Sequence, residues 1–229
     1  MKNIEIIHSP TKSEPFIVAV KPRALPTAPL KNGEDCALFR ISRDFPSVLF
    51  VRGKKEIEGG LCHRLDTQTE GLFLCALEQD FFDKIQLEQS EGRFFKTYRA
   101  RVEKNPQNAT NLGGFPPFLN DFCECAILES RFRPFGKNGK VVRPVTALSG
   151  KASEKKAGKS LYRTNVKIKN DKAVCKISAG YRHQVRCHLA WSGFPIFGDA
   201  LYNFNFFEKN EEMDFTACAL DFLGFHFEI

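Results

Sequence analysis

No stretch of the chain approaches the roughly 20 consecutive apolar residues that a membrane span requires, and the opening MKNIEIIHSPTKSEPF lacks the long apolar segment of a secretory signal. The expectation is a protein that stays in the cytoplasm without membrane contact. No Cys-x-x-Cys occurs, and the closest pair, Cys123 and Cys125, has one residue between them, which is not the ligand spacing of a structural zinc site. No metal is expected. The other cysteines, among them Cys62, Cys75, Cys175, Cys187 and Cys218, are scattered through apolar segments. In a chain far larger than a stapled mini-protein they read as reduced, buried thiols. There is no internal repeat, and no regular alternation of strand and helix patterns that would build a parallel sheet.

The chain has 229 residues, 42% of them hydrophobic, enough to bury a sizeable core in one large or two small domains. Its net charge of +7 is unevenly spread. Arg131 to Lys169 holds twelve Lys or Arg and one acid, Glu154, so 12 − 1 gives +11 there and 7 − 11 leaves −4 elsewhere. One concentrated cationic element selects a polyanion. Arg131, Arg133, Phe135, Lys137 and Lys140 interleave cations with an aromatic, an arrangement suited to looped or single-stranded RNA.

Phe16 to Val20, FIVAV, reads as the first core strand, stopped by Pro22. Leu25 to Pro29, LPTAP, is a rigid extended loop. Gly71 to Leu77 reads as a buried strand, followed by a helix from about Asp80 to Ser90 with Asp80 as N-cap. Phe94 to Val102 alternates, placing Lys96, Tyr98, Ala100 and Val102 on one face. Asn105 to Pro117 and Gly136 to Lys159 read as loops or hairpin ends. Leu161 to Ile168 and Ala173 to Ile177 form a hairpin across Lys169-Asn170-Asp171-Lys172. From His183 to about Trp191 the pattern is helical, with Arg186 on the polar side, until Gly193-Phe194-Pro195 ends it. The fold class is therefore α+β, with a mixed, mainly antiparallel central sheet flanked by helices and loops.

The most telling stretch is Gly60 to Leu77, GLCHRLDTQTEGLFLCAL, where Asp66 sits between a polar turn and an apolar run. Beside Leu65, Leu72, Phe73 and Leu74 a carboxylate loses hydration, which raises its pKa unless a cation or hydrogen bonds keep it ionised. Arg64 is two residues away, and Arg186 stands in a second polar cluster, Gly180 to His188. A charged, desolvated carboxylate is a nucleophile; the alternative is a structural ion pair closing a loop. His63 and His183 read as hydrogen-bonding residues, and His188 has no metal-ligand spacing.

Four segments, KPRALPTAP (Lys21 to Pro29), HRLDTQTEG (His63 to Gly71), FKTYRARV (Phe95 to Val102) and HQVRCHLAWSGFPIFGDALY (His183 to Tyr202), resemble the RluA-type pseudouridine synthases in order and spacing. The resemblance runs from about Phe16 to Tyr202. It implies a cofactor-free enzyme that isomerises uridine in rRNA or tRNA to pseudouridine, with a catalytic cleft across the sheet. Carried over by position, Asp66 is the nucleophile, Tyr98 the aromatic beneath the flipped base and Arg186 the basic partner of Asp66. Arg64, His63, Lys96, Arg182 and Gln184 are then candidates for substrate contact, and Lys137, Lys140 and Arg143 for gripping phosphates. The expected organisation is a short extension, residues 1–15, before a catalytic domain, residues 16–229, with no separate S4-type RNA-binding domain, acting as a monomer without an obligatory protein partner. The sequence departs from the family pattern at Glu70, where a small Ser is usual before Gly71; at Ala24, where Gly is usual; and at Tyr181-Arg182, where Arg-Thr is usual. These departures bear on substrate choice more than on chemistry. A catalytically inactive RNA-binding paralogue of the same fold is the competing reading, and intact Asp66, Tyr98 and Arg186 count against it.

Overall fold

The computed structural model describes residues 3–29, 33–114, 116, 125–204 and 211–229. Among these, the strands are β1 (Glu5–His8), β2 (Phe16–Lys21), β3 (Glu70–Ala76), β4 (Phe95–Arg101), β5 (Cys125–Phe135), β6 (Val141–Val145), β7 (Tyr162–Lys169), β8 (Lys172–Ile177), β9 (Phe215–Phe222) and β10 (Phe225–Glu228). The α-helices are α1 (Ala37–Ser42), α2 (Gln79–Ser90), α3 (Pro106–Asn111), α4 (Lys151–Glu154) and α5 (Gln184–Trp191). None of the described helices is long and apolar enough to cross a membrane. β3 and β9 pair in parallel, whereas β1–β2, β2–β3, β9–β10, β5–β6, β5–β7 and β7–β8 are antiparallel. The fold is thus the mixed, mainly antiparallel α+β arrangement that the strand patterns imply. Contacts divide the chain into two compact units, Met1–Lys96 with Thr216–Ile229, and Thr97–Phe215.

In the first unit the strand order is β1-β2-β3-β9, with β10 on β9. The FIVAV run forms β2, the first buried strand, as its β-branched residues predict. β1 precedes it as a half-exposed edge, Glu5 opposite Val20. Gly71 of β3 faces Ala217 of β9 with φ +117°, and a Cβ there would stand 2.2 Å from the Ala217 carbonyl oxygen, so only glycine allows the two backbones this close. α2 begins at Gln79 with Glu78, not Asp80, as N-cap; Asp80 lies in the first turn, where a carboxylate still favours the helix dipole. The helix lays Phe81, Phe82 and Ile85 on the core, where Phe16 stacks on Phe81 at 4.7 Å between ring centroids and meets Phe222 edge-on at 5.5 Å. Full burial of one such ring stabilises by about 1.5–3 kcal/mol.

In the second unit β4 lies beside β8, followed by β7, β5 and β6. Lys169 pairs with Lys172, leaving Asn170-Asp171 as a two-residue turn, with Asn170 at φ +57°, a conformation asparagine tolerates. The structure revises two expected loops. Gly136 to Lys159 contains β6 and α4, because the run Val141, Val142 and Val145 pairs with β5 and sends Val142 into a core of Phe132, Trp191 and Tyr202. Asn105 to Pro117 contains α3, which starts on Pro106, and the buried Asn108 amide donates to the Tyr202 carbonyl; Phe115 and Pro117 lie outside the described residues. α5 forms where the sequence predicts, but it has no polar side: all eight of its residues are buried. Gln184, Arg186 and His188 are tolerated there because each finds partners inside the unit.

Cys36, Cys62, Cys75, Cys175, Cys187 and Cys218 are buried, as thiols that pack as small hydrophobes should be, whereas Cys125 is exposed and Cys123 lies outside the described residues. Burial pushes the Cys62, Cys75 and Cys187 thiols up, so they stay protonated.

Candidate active site

The segment around Asp66 is held from two directions. Gly60 to Cys62 folds back along β3 through Cys62 N–H to Leu74 O (3.0 Å) and Ala76 N–H to Gly60 O (2.8 Å). The Thr69 amide donates to the Asp66 carbonyl at 3.0 Å, closing a turn that leaves Asp66 half-buried at its start. Immediately before it, the Thr27 hydroxyl donates to the Leu65 carbonyl (2.7 Å) and accepts from the Leu65 amide (3.0 Å). Immediately after it, the wholly buried Lys21 ammonium donates to the Thr67 carbonyl (3.2 Å) and to those of Leu25 (2.8 Å) and Pro22 (2.9 Å). The segment Lys21 to Pro29 therefore clamps the residues on both sides of Asp66. Burial lowers the Lys21 pKa to about 8, while the carboxylates of Asp66 and then Glu70 oppose that fall.

Glu70 is paired with Arg23 at 3.0 Å and accepts from the Thr216 hydroxyl at 3.3 Å. Arg64 extends half-exposed and pairs with the buried Glu58 at 2.9 Å. The Leu74 amide donates to His63 Nε2 at 3.3 Å, which places the ring proton on Nδ1. Burial, with help from Lys96, holds the His63 pKa at about 3, so this imidazole is neutral. Lys96 stands 4.4 Å from the centroid of Phe94, and burial lowers its pKa to about 8.

In the second unit Tyr98 is buried and stacks on Phe215, 5.2 Å between centroids and 16° between planes. Lys96, Tyr98, Ala100 and Val102 are all buried on one face of the strand, as its alternation predicts. Arg186 forms a bidentate pair with Asp199, Nε to Oδ2 and Nη2 to Oδ1, both at 2.8 Å and both side chains buried. Asp199 Oδ1 also accepts the amides of Leu201 (2.9 Å) and Tyr202 (3.2 Å). Gly198 makes that geometry accessible, since at φ +75° a Cβ would come within 2.4 Å of the Glu212 carbonyl oxygen. The Tyr202 hydroxyl accepts from the Val142 amide (2.8 Å) and meets His183 Nδ1 (3.0 Å).

Gln184 is wholly engaged inside the unit, donating to the Arg163 carbonyl (2.9 Å) and Thr164 hydroxyl (3.1 Å) and accepting from the Tyr181 amide (2.9 Å). Arg182 donates to the carbonyls of Gly139 and Val141 at the β5–β6 turn, and Tyr181 stacks on Phe132 at 5.1 Å. Lys137 and Lys140 are exposed on that turn, and Arg143 lies on β6 with its guanidinium 3.6 Å from the Phe135 centroid. Arg182, Lys137, Lys140 and Arg143 thus gather at one hairpin. Sequence reasoning missed Lys21, Thr27 and Asp199. Lys21 and Thr27 lie in the family-like segment Lys21 to Pro29, and Asp199 lies thirteen residues after Arg186 in another, but nothing local in the sequence assigns them a role.

Residues 15–191 match the family model for RNA pseudouridylate synthase. The chain is 26% identical over 210 residues to pseudouridylate synthase RPUSD2 of Mus musculus, covering 87% of this chain and 31% of that protein. It is 28% identical over 189 residues to the dual-specificity RNA pseudouridine synthase RluA of Escherichia coli (strain K12), covering 82% of this chain and 73% of that protein. The chain thus spans about a third of the length of the mouse relative and about three quarters of the bacterial one. Among solved structures, human RNA pseudouridylate synthase domain containing 1 superposes with a TM-score of 0.65 at 16% identity, covering 99% of this chain and 82% of that one. Human RNA pseudouridylate synthase domain containing 4 does so with 0.63 at 18%, covering 98% and 87%, so the fold is shared. With a family model matched over more than half its length and relatives of this kind, the chain belongs to the RNA pseudouridylate synthase family, of the RluA type.

Proposed function

We propose that this chain isomerises uridine in structured rRNA or tRNA to pseudouridine, with Asp66 as nucleophile. The observation that carries the reading is the double clamp around Asp66: Thr27 fixes the residue before it and Lys21 the residue after it, so the backbone that carries the carboxylate is set before substrate arrives. The reaction breaks the N1–C1′ bond, rotates the base, forms C5–C1′, and moves a proton from C5 to solvent while N1 gains one. Asp66 loosens the base from the sugar. Tyr98, held flat against Phe215, offers a ring face to the flipped base. Arg186, held by Asp199, takes the role of basic partner of Asp66 that the family resemblance implies. Lys137, Lys140 and Arg143 grip phosphates.

The test is tritium release from RNA labelled at uridine C5. Release by the parent chain separates an enzyme from an RNA-binding paralogue without turnover. Asp66→Asn is expected to abolish release while RNA binding stays within a few-fold, because the amide keeps the shape and loses the charge. Clear residual turnover by pure Asp66→Asn protein would overturn the assignment.

A further inference from the structure

The β5–β6 hairpin sets Arg133 directly opposite Arg143. Like charges directly opposite on an antiparallel pair are destabilising. Phe135 lies close to both, its centroid 3.6 Å from the Arg143 guanidinium and 5.0 Å from that of Arg133, which fixes the two cations without neutralising them. The one acid of the basic segment, Glu154, is paired elsewhere, with Arg131 at 3.6 Å. Among the described residues no carboxylate pairs with Arg133 or Arg143. Burial, and next the Arg133 charge, push the Arg143 pKa below its usual value.

Both arginines line a cavity of about 290 Å³, room for about ten water molecules' worth of ligand. Its other polar lining comes from Thr146, Ser149, Gly150 and Ser153. The loop carrying these hydroxyls is ordered by its own bonds: the Thr146 amide donates to Ser149 Oγ (3.0 Å), the Leu148 amide to Thr146 Oγ1 (3.3 Å), and the Ser149 amide to the Thr146 carbonyl (3.0 Å). Two planar forks held side by side, with no carboxylate paired to either among the described residues, and facing a preformed polar cavity, match the oxygens of a phosphate. Lys137 and Lys140 continue the positive field along the adjoining turn, and Leu148 lies 81% exposed at the cavity. A free anion needs neither; a polyanion with bases uses both.

We propose that Arg133 and Arg143 form a phosphate pocket that holds one phosphodiester of the substrate RNA, at a nucleotide other than the one isomerised, and so sets the register of the strand. This deepens the reading of the chain as an RNA-modifying enzyme and rests on it. The first experiment uses the full chain and inorganic phosphate. In chloride buffer Arg133→Gln should melt above the parent, since it removes the cross-strand repulsion, while phosphate at matched ionic strength should raise the melting temperature of the parent and not of the variant.

The second uses RNA oligonucleotides carrying a single neutral methylphosphonate, moved along the strand. For the parent, one position should weaken binding by roughly tenfold, and at that position Arg133→Gln should be indifferent to the change. Arg133→Lys, which keeps the charge and loses the fork, should keep the salt dependence and lose the position effect. A parent insensitive to phosphate overturns the pocket. Phosphate stabilisation with no position-specific effect in RNA also overturns it, because the site then takes a free anion. The binding readouts require no turnover, so a parent that shows the position effect but releases no tritium would leave the pocket standing and remove the proposed function instead.

Discussion

Lowering the pH from 7 to 5 should destabilise the second unit through one residue, His188. Its imidazole is wholly buried in α5, with Thr164 Oγ1 2.8 Å from Nδ1 and Ser130 Oγ 3.0 Å from Nε2. Burial holds its pKa at about 3, against 6.5 when solvated. Between those values the unfolded chain binds a proton that the folded one refuses. The contribution of a neutral His188 is therefore complete above the unfolded pKa and is lost as the pH falls below it. At pH 5, roughly one and a half units below the unfolded value, the loss is about 2 kcal/mol. Trp191, the only tryptophan, has its ring 6.0 Å from that of His188, so its fluorescence reports unfolding of this unit. Urea midpoints at pH 7 and 5 for the parent and for His188→Gln measure the effect. The variant starts lower, having lost packing, but its decline between the two pH values should be smaller by about 2 kcal/mol. Equal declines in the two proteins would show that His188 is not a buried neutral group, and the reasoning would fail.

Ala24 stands at φ +63°, which costs a residue with a Cβ about 1–2 kcal/mol, more than the 0.4–1 kcal/mol of extra chain entropy that glycine brings. Ala24→Gly should therefore raise the denaturation midpoint slightly, and a fall would show that the backbone there is not strained. Asp199→Asn removes the charge that balances buried Arg186 and should cost about 3 kcal/mol or more in calorimetry. Combining Arg186→Met with Asp199→Asn, whose amide oxygen still accepts the Leu201 and Tyr202 amides, should recover much of that loss while leaving no tritium release.

What was legible in the sequence is what short range decides. The strand patterns of β2, β3, β4, β7 and β8 and the Asn170-Asp171 turn were readable because side-chain alternation and turn chemistry are local. β6 was hidden because Arg143 and Pro144 break its valine run, and only pairing with β5 makes it a strand. α5 was readable as a helix but not as a fully buried one, since Gln184, Arg186 and His188 count as polar until their partners, distant in sequence, are known. The same holds for the site. Asp66 announced itself as a carboxylate against an apolar run, whereas the groups that hold its two neighbours, Leu65 and Thr67, come from 38 and 46 residues away and leave no mark in the local pattern.

The three departures from the family pattern take on different weights once their neighbours are known. Glu70 brings a negative charge close to Asp66, but Arg23 and the Thr216 hydroxyl take it up, and the same Glu70 supports the charge of Lys21, whose own burial works against it. Its influence is therefore largely internal: Arg23, Glu70, Asp66 and Lys21 form one electrostatic group, and altering Glu70 changes the balance that keeps the Lys21 clamp protonated. Tyr181 is likewise spent on packing, stacked on Phe132. Arg182 is the one that reaches outward, because it ties the start of α5 to the turn bearing Lys137 and Lys140 through the carbonyls of Gly139 and Val141. Of the three sites, the last is where a change of residue alters the placement of Lys137 and Lys140, whereas the charge at position 70 is balanced by its own neighbours.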